Sequence, residues 1–394
     1  MTEEKEQQHV FGLDIHPTCF TAAKFNADEP NVLTAQPLLL QDKLDMSLFD
    51  KWLVKYTAKG DILAMEALCI SFQVAKKIER EERIPVVLES TKVGRVGKTY
   101  LKTDKVDAVK IAKIQLSGLA DKVWIPDDKT IERREVLVAH RNSVKDSTRI
   151  LARIWDFLTS HGFVVTSSMK AKYKRDPESL YTVSSWTNLQ KAILEGHIGD
   201  YKQAQEKRKR FEAIIAEEVT SDPDMLKLQQ FYGIRLIVAF ALMAIIGDIK
   251  RFETPKKLVA YLGLQPNYFQ SAGKVTTGGV GLHGNRYIKS LLAEATKAFI
   301  NFAPKDHAII KWANKLRFRK NANVVTMAVA RKLVTAIWYV LNGYGSELTE
   351  VSQMIRTKLQ KHASKIGKER LRELGYIDIS NFIEVKSKIL LNTT

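Results

Sequence analysis

Cysteine is almost absent from this chain of 394 residues, which carries only Cys19 and Cys69. Two thiols cannot build the disulfide framework of a small secreted protein. Neither cysteine lies in a CxxC motif or a Cys/His cluster, so a structural zinc site is not expected. The reducing cytosol is therefore the expected compartment.

Long hydrophobic runs are absent as well. The longest one, Leu236–Ile246, is too short to cross a bilayer. The first residues, MTEEKEQQ, are acidic and polar, unlike the start of a signal peptide. Hydrophobic residues nevertheless make up 45 % of the chain, as in folded rather than disordered proteins. We expect a cytoplasmic protein of two or three domains that does not contact a membrane.

Acidic residues are scarce in one segment of a basic chain. The formal net charge is +18, and residues 251–345 contribute +12 of it through 15 basic and 3 acidic residues. A charge excess that served solubility alone would be spread more evenly. Basic side chains that neutralise phosphates gain affinity from counterion release. This segment therefore predicts a nucleic-acid surface, with a merely solvated basic face as the alternative.

The order of predicted elements indicates several regions. Strand-like and helical segments alternate over residues 1–125, which is typical of an α/β domain. Residues 126–224 hold two long helical patterns around an irregular basic stretch, and they predict an antiparallel coiled-coil arm or an ordinary helical subdomain. Residues 225–345 form a mostly helical domain, and 346–394 form a basic helical tail. The six glycines of 263–285 predict a loop.

Four carboxylates of the first domain are candidate metal ligands. Asp14 and Glu66 each interrupt an apolar strand, where a buried charge is costly unless it is paired or binds a metal. Asp104 and Asp107 are spaced i,i+3 at the start of a helix and so share a face. Together the four could hold two Mg²⁺ ions and act on a phosphodiester. Taken singly, each has a common structural explanation, such as a helix N-cap for Asp104.

A second candidate site lies in the glycine-rich segment. Glycines let a backbone approach phosphates closely. Ser271 could be a nucleophile there if another group activated it, although most loop serines only cap turns. No GxSxG motif or P-loop is present. The side chains that could bind a nucleic-acid phosphate are Lys274, Asn285, Arg286 and Lys289.

These motifs, taken in order, resemble the insertion-sequence-110-type transposases, which include the Piv-like invertases. The acid motifs are Gly12-Leu13-Asp14-Ile15-His16, Met65-Glu66-Ala67 and Thr103-Asp104-Lys105-Val106-Asp107. The later motifs are Tyr261-Leu262-Gly263-Leu264-Gln265-Pro266, Ser271-Ala272-Gly273-Lys274 and Gly284-Asn285. The resemblance covers about residues 9–345.

The resemblance implies a ribonuclease-H/RuvC-like domain with a DEDD acid set, followed by a transposase domain with a catalytic serine. It implies that Asp14, Glu66, Asp104 and Asp107 bind Mg²⁺ and that Ser271 forms a covalent phosphoserine link to DNA. The implied partners are target and donor double-stranded DNA, a bridging guide RNA and further copies of the chain. The implied location is the cytoplasm of a prokaryote, on the nucleoid during action.

Two other functions stay open at this point. A RuvC-like junction nuclease would use the four acids and Mg²⁺ with water as nucleophile, and would not need Ser271. A non-catalytic nucleic-acid scaffold on the same fold would need neither the metal nor the serine.

Overall fold

The protein is described by a computed structural model over residues 7–95, 103–271, 274–280, 284–344 and 352–391, with the backbone alone at 95, 267–271, 274–280, 352 and 391. The chain divides into two compact units, Met1–Asp127 and Asp128–Thr394. The first contains a six-stranded sheet and the second is mostly helical. This confirms the predicted class at the level of an α/β unit followed by helices.

The first unit alternates strands with short helices. In chain order its elements are β1 (His9–Ile15), β2 (Cys19–Asn26), β3 (Leu39–Asp45), α1 (Phe49–Tyr56), β4 (Ile62–Glu66), α2 (Ser71–Arg80), β5 (Ile84–Leu88), α3 (Ser90–Arg95), α4 (Asp104–Ser117) and β6 (Lys122–Val123). The sequence predicts strands at Val10–Ile15, Cys19–Phe25, Ile62–Leu68 and Ile84–Leu88 and a helix at Asp104–Leu116, and the structure has all five. It predicts no strand at the position of β3.

The six strands form one mixed sheet in the order β3-β2-β1-β4-β5-β6. The first three strands pair antiparallel, as a meander. β1, β4 and β5 run parallel, and the short β6 returns antiparallel at the edge. The acid-bearing strands β1 and β4 are therefore neighbours in the middle of the sheet.

Different helices cover the two faces of this sheet. Phe11, Leu13 and Ile15 of β1 are buried in a cluster with residues of α1 and α2. Ala64 of β4 is buried on the other face with residues of α4. Because side chains alternate along a strand, Asp14 lies on the opposite face from its neighbours Leu13 and Ile15, the face that α4 covers.

The second unit contains twelve described helices and one hairpin. Its elements are α5 (Asp128–Ser160), α6 (Ser167–Arg175), α7 (Asn188–Ser221), α8 (Pro223–Lys227), α9 (Leu236–Ile246), α10 (Pro255–Tyr261), β7 (Pro266–Ser271), β8 (Lys274–Val280), α11 (Arg286–Phe302), α12 (Ala308–Arg317), α13 (Ala322–Leu341), α14 (Ser352–Ile366), α15 (Lys368–Glu373) and α16 (Ile379–Leu391).

The two longest helices, α5 and α7, pack along each other in antiparallel directions. Near the start of α5, Arg133 donates to Glu218 near the end of α7 at 2.6 Å. Near the other end, Leu158 and Leu194 share a hydrophobic cluster. Each helix of 33 or 34 residues spans roughly 50 Å. The two helices thus form an antiparallel pair, and part of this pair is packed into the helical core of the unit.

One helix of the second unit is long and apolar enough to cross a membrane by length and composition. This is α13, with 20 residues and a mean hydropathy of 1.6. Its residues Val329, Leu333 and Ile337 are at most 1 % exposed and belong to the central core of the unit. Its apolar character is accounted for by this burial.

The tail helix α14 brings a buried histidine to the core of the second unit. His362 is 3 % exposed, and its Nε2 lies 3.1 Å from Gln229 Oε1. Burial, followed by the positive charges of Lys358 and Lys365, lowers the pKa of His362 to about 4. The imidazole is therefore neutral in the folded protein at neutral pH.

We expect acidification to destabilise the second unit through His362. Its folded pKa of about 4 lies below the ordinary 6.5, so the unfolded chain binds the proton more tightly. Stability is thus complete above pH 6.5 and falls as the pH drops towards 4, by about 2 kcal/mol at pH 5. Urea unfolding at pH 7 and pH 5 measures this loss. In His362→Gln the loss of unfolding free energy between pH 7 and pH 5 should be smaller by about that amount, because the titrating group is gone. An equal loss in both proteins would show that His362 does not cause it.

Candidate functional site

The parallel pairing of β1 with β4 brings two predicted acids to the same end of the sheet. Leu13 pairs with Met65 in the observed register. Asp14 and Glu66 follow these residues directly, at the carboxyl ends of the two strands. Neighbours in a parallel register point to the same face. The two carboxylates therefore start from adjacent positions on the α4 face, and both are partly buried.

A glycine brings α4 close to β1. A Cβ at Gly12 would lie 2.0 Å from the carbonyl oxygen of Ala108 and 2.9 Å from the Cβ of Ala112. Gly12 therefore allows the helix backbone to lie directly on the strand. Asp104 lies one helical turn before Ala108, and Asp14 lies two residues after Gly12. The close contact thus carries Asp104 towards Asp14.

The start of α4 is capped by Thr103 rather than by Asp104. Thr103 is the N-cap, and its hydroxyl accepts the Val106 N–H at 3.3 Å. The structural alternative for Asp104, a helix N-cap, is therefore wrong, because Asp104 is the first helical residue. Its carboxylate is available for another role. Asp104 and Asp107 lie in the first turn, where negative charge is favoured by the helix dipole.

Three side chains converge where β1 ends and α4 begins. One ligand atom each from Asp14, His16 and Asp104 lies within 4.8 Å of the other two. His16 Nε2 is 3.7 Å from Asp14 Oδ2, and the Asp14 side chain is 15 % exposed. Within the described parts of the chain, this is the one such group of three or more potential ligands. Glu66 and Asp107 are outside it.

His16 was missed as a site residue by sequence reasoning. It was read only as part of the motif that contains Asp14. The available signal was its spacing of two residues from Asp14, which would place both on one face of an extended strand. The strand ends at Ile15, and the backbone N–H of His16 donates to the Cys19 carbonyl at 2.8 Å, which closes the turn to β2.

The donor set fits a divalent cation. Asp14 and Asp104 supply carboxylate oxygens, the ligands that Mg²⁺ prefers, and Glu66 starts from the position next to Asp14. The imidazole of His16 is a ligand that Mn²⁺ and other first-row metals accept more readily than Mg²⁺ does. Carboxylates this close to one another repel, and a bound cation would remove the repulsion.

We expect Gly12→Ala to disturb this site strongly. The new methyl group would meet backbone atoms of α4, so the helix must shift, and overpacking of this kind costs roughly 1–3 kcal/mol. The melting temperature should fall and divalent-metal binding should weaken, as measured by thermal denaturation with and without Mg²⁺. Gly94→Ala is the matched control, because among the described residues no atom outside its own helix and its chain neighbours lies within 4 Å of the added methyl group. Equal effects in both variants would contradict this account.

The glycine-rich segment is a hairpin where a loop was predicted. Strands β7 and β8 pair antiparallel, with Tyr268 opposite Thr277 and Ser271 opposite Lys274. Ser271 is the last residue of β7, at the tip of the hairpin, and its side chain lies outside the described atoms. The same holds for the side chain of Lys274. The glycines at 278 and 279 lie within β8, so a high glycine content did not prevent strand pairing.

The base of the hairpin leads into α11. Gly284 has φ +86°, and a Cβ there would lie 2.9 Å from the Cα of Gly263. Only glycine suits both the left-handed backbone and this close approach. Asn285 is the N-cap of α11, where its Oδ1 accepts the Tyr287 N–H at 2.9 Å. This structural role uses the amide oxygen, and the amide NH₂ group remains a donor.

The remaining predicted phosphate ligands lie in the first turn of α11. Arg286 is exposed and Lys289 is partly buried. Both lie near the positive end of the helix dipole, a favourable place for a phosphate. The structure thus places Asn285, Arg286 and Lys289 together at one helix start, directly after the hairpin that carries Ser271.

Comparison with known proteins finds similarity to transposases. The family model described as "Transposase IS116/IS110/IS902 family" matches residues 225–311, which include β7, β8 and α11. A protein of Pseudomonas aeruginosa named as a family 20 transposase is 28 % identical over 251 residues, covering 62 % of this chain and 74 % of that protein. The transposase for insertion sequence element IS1111A of Coxiella burnetii is 24 % identical over 249 residues, covering 62 % and 68 %. The chain is therefore similar to these transposases, and its residues 225–311 match the IS116/IS110/IS902 family model.

Proposed function

We propose that this protein is a transposase that cuts and rejoins DNA with Mg²⁺ ions held by its first unit and with a serine nucleophile in its second. The observation that carries the metal part is the convergence of Asp14, His16 and Asp104 within 4.8 Å. The serine part rests on the family resemblance and on the position of Ser271 at the hairpin tip. Asp14, Glu66, Asp104 and Asp107 are the proposed metal ligands.

We also propose that the first unit is ribonuclease-H/RuvC-like. Support comes from its sheet, in which an antiparallel meander of three strands continues into the parallel strands β4 and β5. The acids of β1 and β4 lie at the carboxyl ends of adjacent central strands, and α4 adds its acids across that face. This arrangement agrees with the acid pattern found in the sequence.

In this mechanism the acidic side chains bind the metal ions and the serine attacks a DNA phosphate. The carboxylates of Asp14 and Asp104 would hold the cation, and His16 lies beside Asp14 as a further donor. Bound Mg²⁺ would supply charge stabilisation for the oxygens around the reacting phosphorus. Ser271 Oγ forms a bond to phosphorus as the bond to a deoxyribose oxygen breaks. The serine loses its proton, and the released deoxyribose oxygen takes one up.

The covalent link makes rejoining possible without another energy source. The phosphoserine ester keeps the energy of the broken phosphodiester, so a second deoxyribose hydroxyl can attack it and release Ser271. This agrees with the absence of a P-loop motif from the sequence.

A basic segment of the second unit supports DNA binding. Every residue from Arg317 to Val324 is exposed, and Phe318 is 90 % exposed. Arg317, Arg319 and Lys320 flank this ring without an acid between them. Cations beside an exposed ring suit nucleic acid, because the cations contact phosphates and the ring stacks on bases.

The proposed partners follow from the family resemblance. They are target and donor DNA, a guide RNA that pairs with both, and further copies of the chain. A protein guided by base pairing needs mostly backbone contacts, which suits the net charge of +12 over residues 251–345. We propose action in the cytoplasm, on the nucleoid.

The test is recombination by purified protein with guide RNA and DNA at defined metal concentrations. We expect strand cutting with Mg²⁺, cutting with Mn²⁺ because His16 adds a nitrogen donor, and none with EDTA. Ca²⁺ serves as a control for binding without efficient chemistry. Cutting that continued at full rate in EDTA would refute the metal mechanism.

A further inference from the structure

A cavity in the second unit is lined by residues that belong neither to the hairpin nor to the first unit. It has a volume of about 490 Å³ and is enclosed by the start of α9, the end of α11 and one face of α14. This size is within the range of pockets that bind small ligands. The residues that matter for its chemistry are Tyr232, Arg235, Phe302, Lys358, Lys361 and His362.

The lining of the cavity is strongly basic. Arg235 and Lys361 are exposed at the opening. Lys358 is 7 % exposed, and its Nζ donates to the carbonyl oxygens of Gln229 and Phe231 at 2.7 and 2.8 Å. Among the described residues that line the cavity there is no aspartate or glutamate. Like charges collected this way repel, and an anionic ligand would relieve the repulsion.

Two polar features of the wall are available to a ligand. His362 is 3 % exposed, and its Nδ1 has no hydrogen-bond partner among the described residues. A buried polar atom without a partner is costly, so a ligand or water that bonds to it is favoured. The second feature is the start of α9, where the N-cap Arg235 makes no side-chain cap and Leu236 lines the cavity. Uncapped N–H groups and the helix dipole both favour a phosphate there.

An aromatic ring stands at the opening. Phe302 is the last residue of α11 and is 69 % exposed. A phenyl ring left in water gains from covering a flat apolar partner. A nucleic-acid base is such a partner, and every base has a face that can stack. The cavity therefore combines a phosphate-binding wall with a stacking surface.

We propose that this cavity binds one unpaired nucleotide of a single-stranded nucleic acid, with its phosphate at Arg235, Lys361 and the start of α9 and its base on Phe302. A duplex does not fit, because its bases are stacked on one another and cannot reach Phe302. The assignment rests on the proposed function only in taking nucleic acid as the anionic partner. It does not depend on Mg²⁺ or on Ser271.

The experiment measures binding of fluorescently labelled oligothymidylate and oligouridylate to the full-length protein by anisotropy, over a range of salt concentrations. Phe302→Ala should weaken binding by at least about fivefold, since stacking on one ring contributes roughly 1–3 kcal/mol. Lys361→Glu should weaken it about tenfold and lower the salt dependence by about one phosphate contact. The two oligonucleotides show whether RNA or DNA is preferred.

Arg356→Glu is the matched control, because Arg356 is exposed on the same helix α14 but does not line the cavity. It makes the same change in total charge and should alter binding by less than about twofold. The proposal is overturned if Phe302→Ala binds like the wild type, or if Arg356→Glu weakens binding as much as Lys361→Glu. The proposal is also overturned if inorganic phosphate displaces the oligonucleotide while Phe302→Ala has no effect on binding. The cavity would then bind an anion without binding a base.

The same assay separates this proposal from the proposed function. Asp104→Asn should bind the oligonucleotides like the wild type, because its carboxylate lies in the other unit. If Phe302→Ala weakens oligonucleotide binding but the wild-type protein does not cut DNA with Mg²⁺, the proposal for the cavity holds and the proposed function fails.

Discussion

Replacing Asp104 by asparagine should abolish metal-dependent DNA cutting by this protein while leaving its fold intact. The side chain keeps its size but loses the charge that would hold the cation beside Asp14. A catalytic metal ion contributes several kcal/mol of transition-state stabilisation, so a rate loss of about a thousandfold is expected. The helix start should survive, because Thr103 rather than Asp104 is the N-cap.

A binding measurement distinguishes loss of metal from general damage. Wild-type protein should melt at a higher temperature with Mg²⁺ than without it, because a ligand that binds the folded state stabilises it. Asp104→Asn should lose this shift. Without metal its stability should be close to that of the wild type, since the relief of carboxylate repulsion offsets the lost interaction of Asp104 with the helix dipole. Glu79→Gln, at an exposed position of α2, is the control and should change neither result.

The same assay ranks the four proposed ligands. Asp14 and Asp104 belong to the group of potential ligand atoms within 4.8 Å of one another, and Glu66 and Asp107 do not. If the first pair forms the tighter site, Asp14→Asn should lose the Mg²⁺-induced shift as Asp104→Asn does, and Asp107→Asn and Glu66→Gln should keep part of it. An identical loss in all four variants would show instead that the ligands act as one inseparable unit.

Much of the first unit could be predicted because its signals are local. The alternation of Phe11, Leu13 and Ile15 gives the strand and places Asp14 on the other face. The approach of α4 to β1 was not predictable, because it depends on contacts of Gly12 with residues almost a hundred positions later. For the same reason sequence reasoning grouped the four acids by residue type, and could not select the pair that the fold brings next to His16.

The errors also have physical causes. β3 has the sequence LLQDKLD, and its paired positions are partly or fully exposed, so it lacks the apolar alternation of a buried strand. Its hydrogen bonds to β2 stabilise it instead. In the hairpin, the high glycine content predicted a loop. The segment also contains residues that favour strands and that pair across β7 and β8, namely Tyr268, Phe269, Thr276 and Thr277. In both cases strand pairing outweighed a local signal against a strand: the polar sequence of β3 and the glycines of the hairpin.

Replacing Ser271 by alanine should remove any covalent link between this protein and DNA. Ser271 ends β7 next to the tip of the hairpin and pairs in register with Lys274, in the segment that contributes +12 of the net charge of +18. Loss of the attacking oxygen leaves no route to a phosphoserine ester, so the adduct should be absent. Rejoining should fall by about a thousandfold or more, as when a nucleophile is removed from other covalent enzymes. Denaturing gels of protein trapped on labelled DNA measure the adduct directly.

The outcome decides between a serine and a water nucleophile. Ser290→Ala is the matched control, since Ser290 is an exposed serine on α11 within the same family-matched region, and it should form the adduct normally. Ser271→Cys should restore some adduct, because a thiolate can also attack phosphorus. If Ser271→Ala cuts DNA at the wild-type rate with Mg²⁺ and wild-type protein yields no adduct, the acids alone suffice. The chain would then be a metal-dependent nuclease that uses water. Its DNA cutting would survive the loss of Ser271 but not the loss of Asp104.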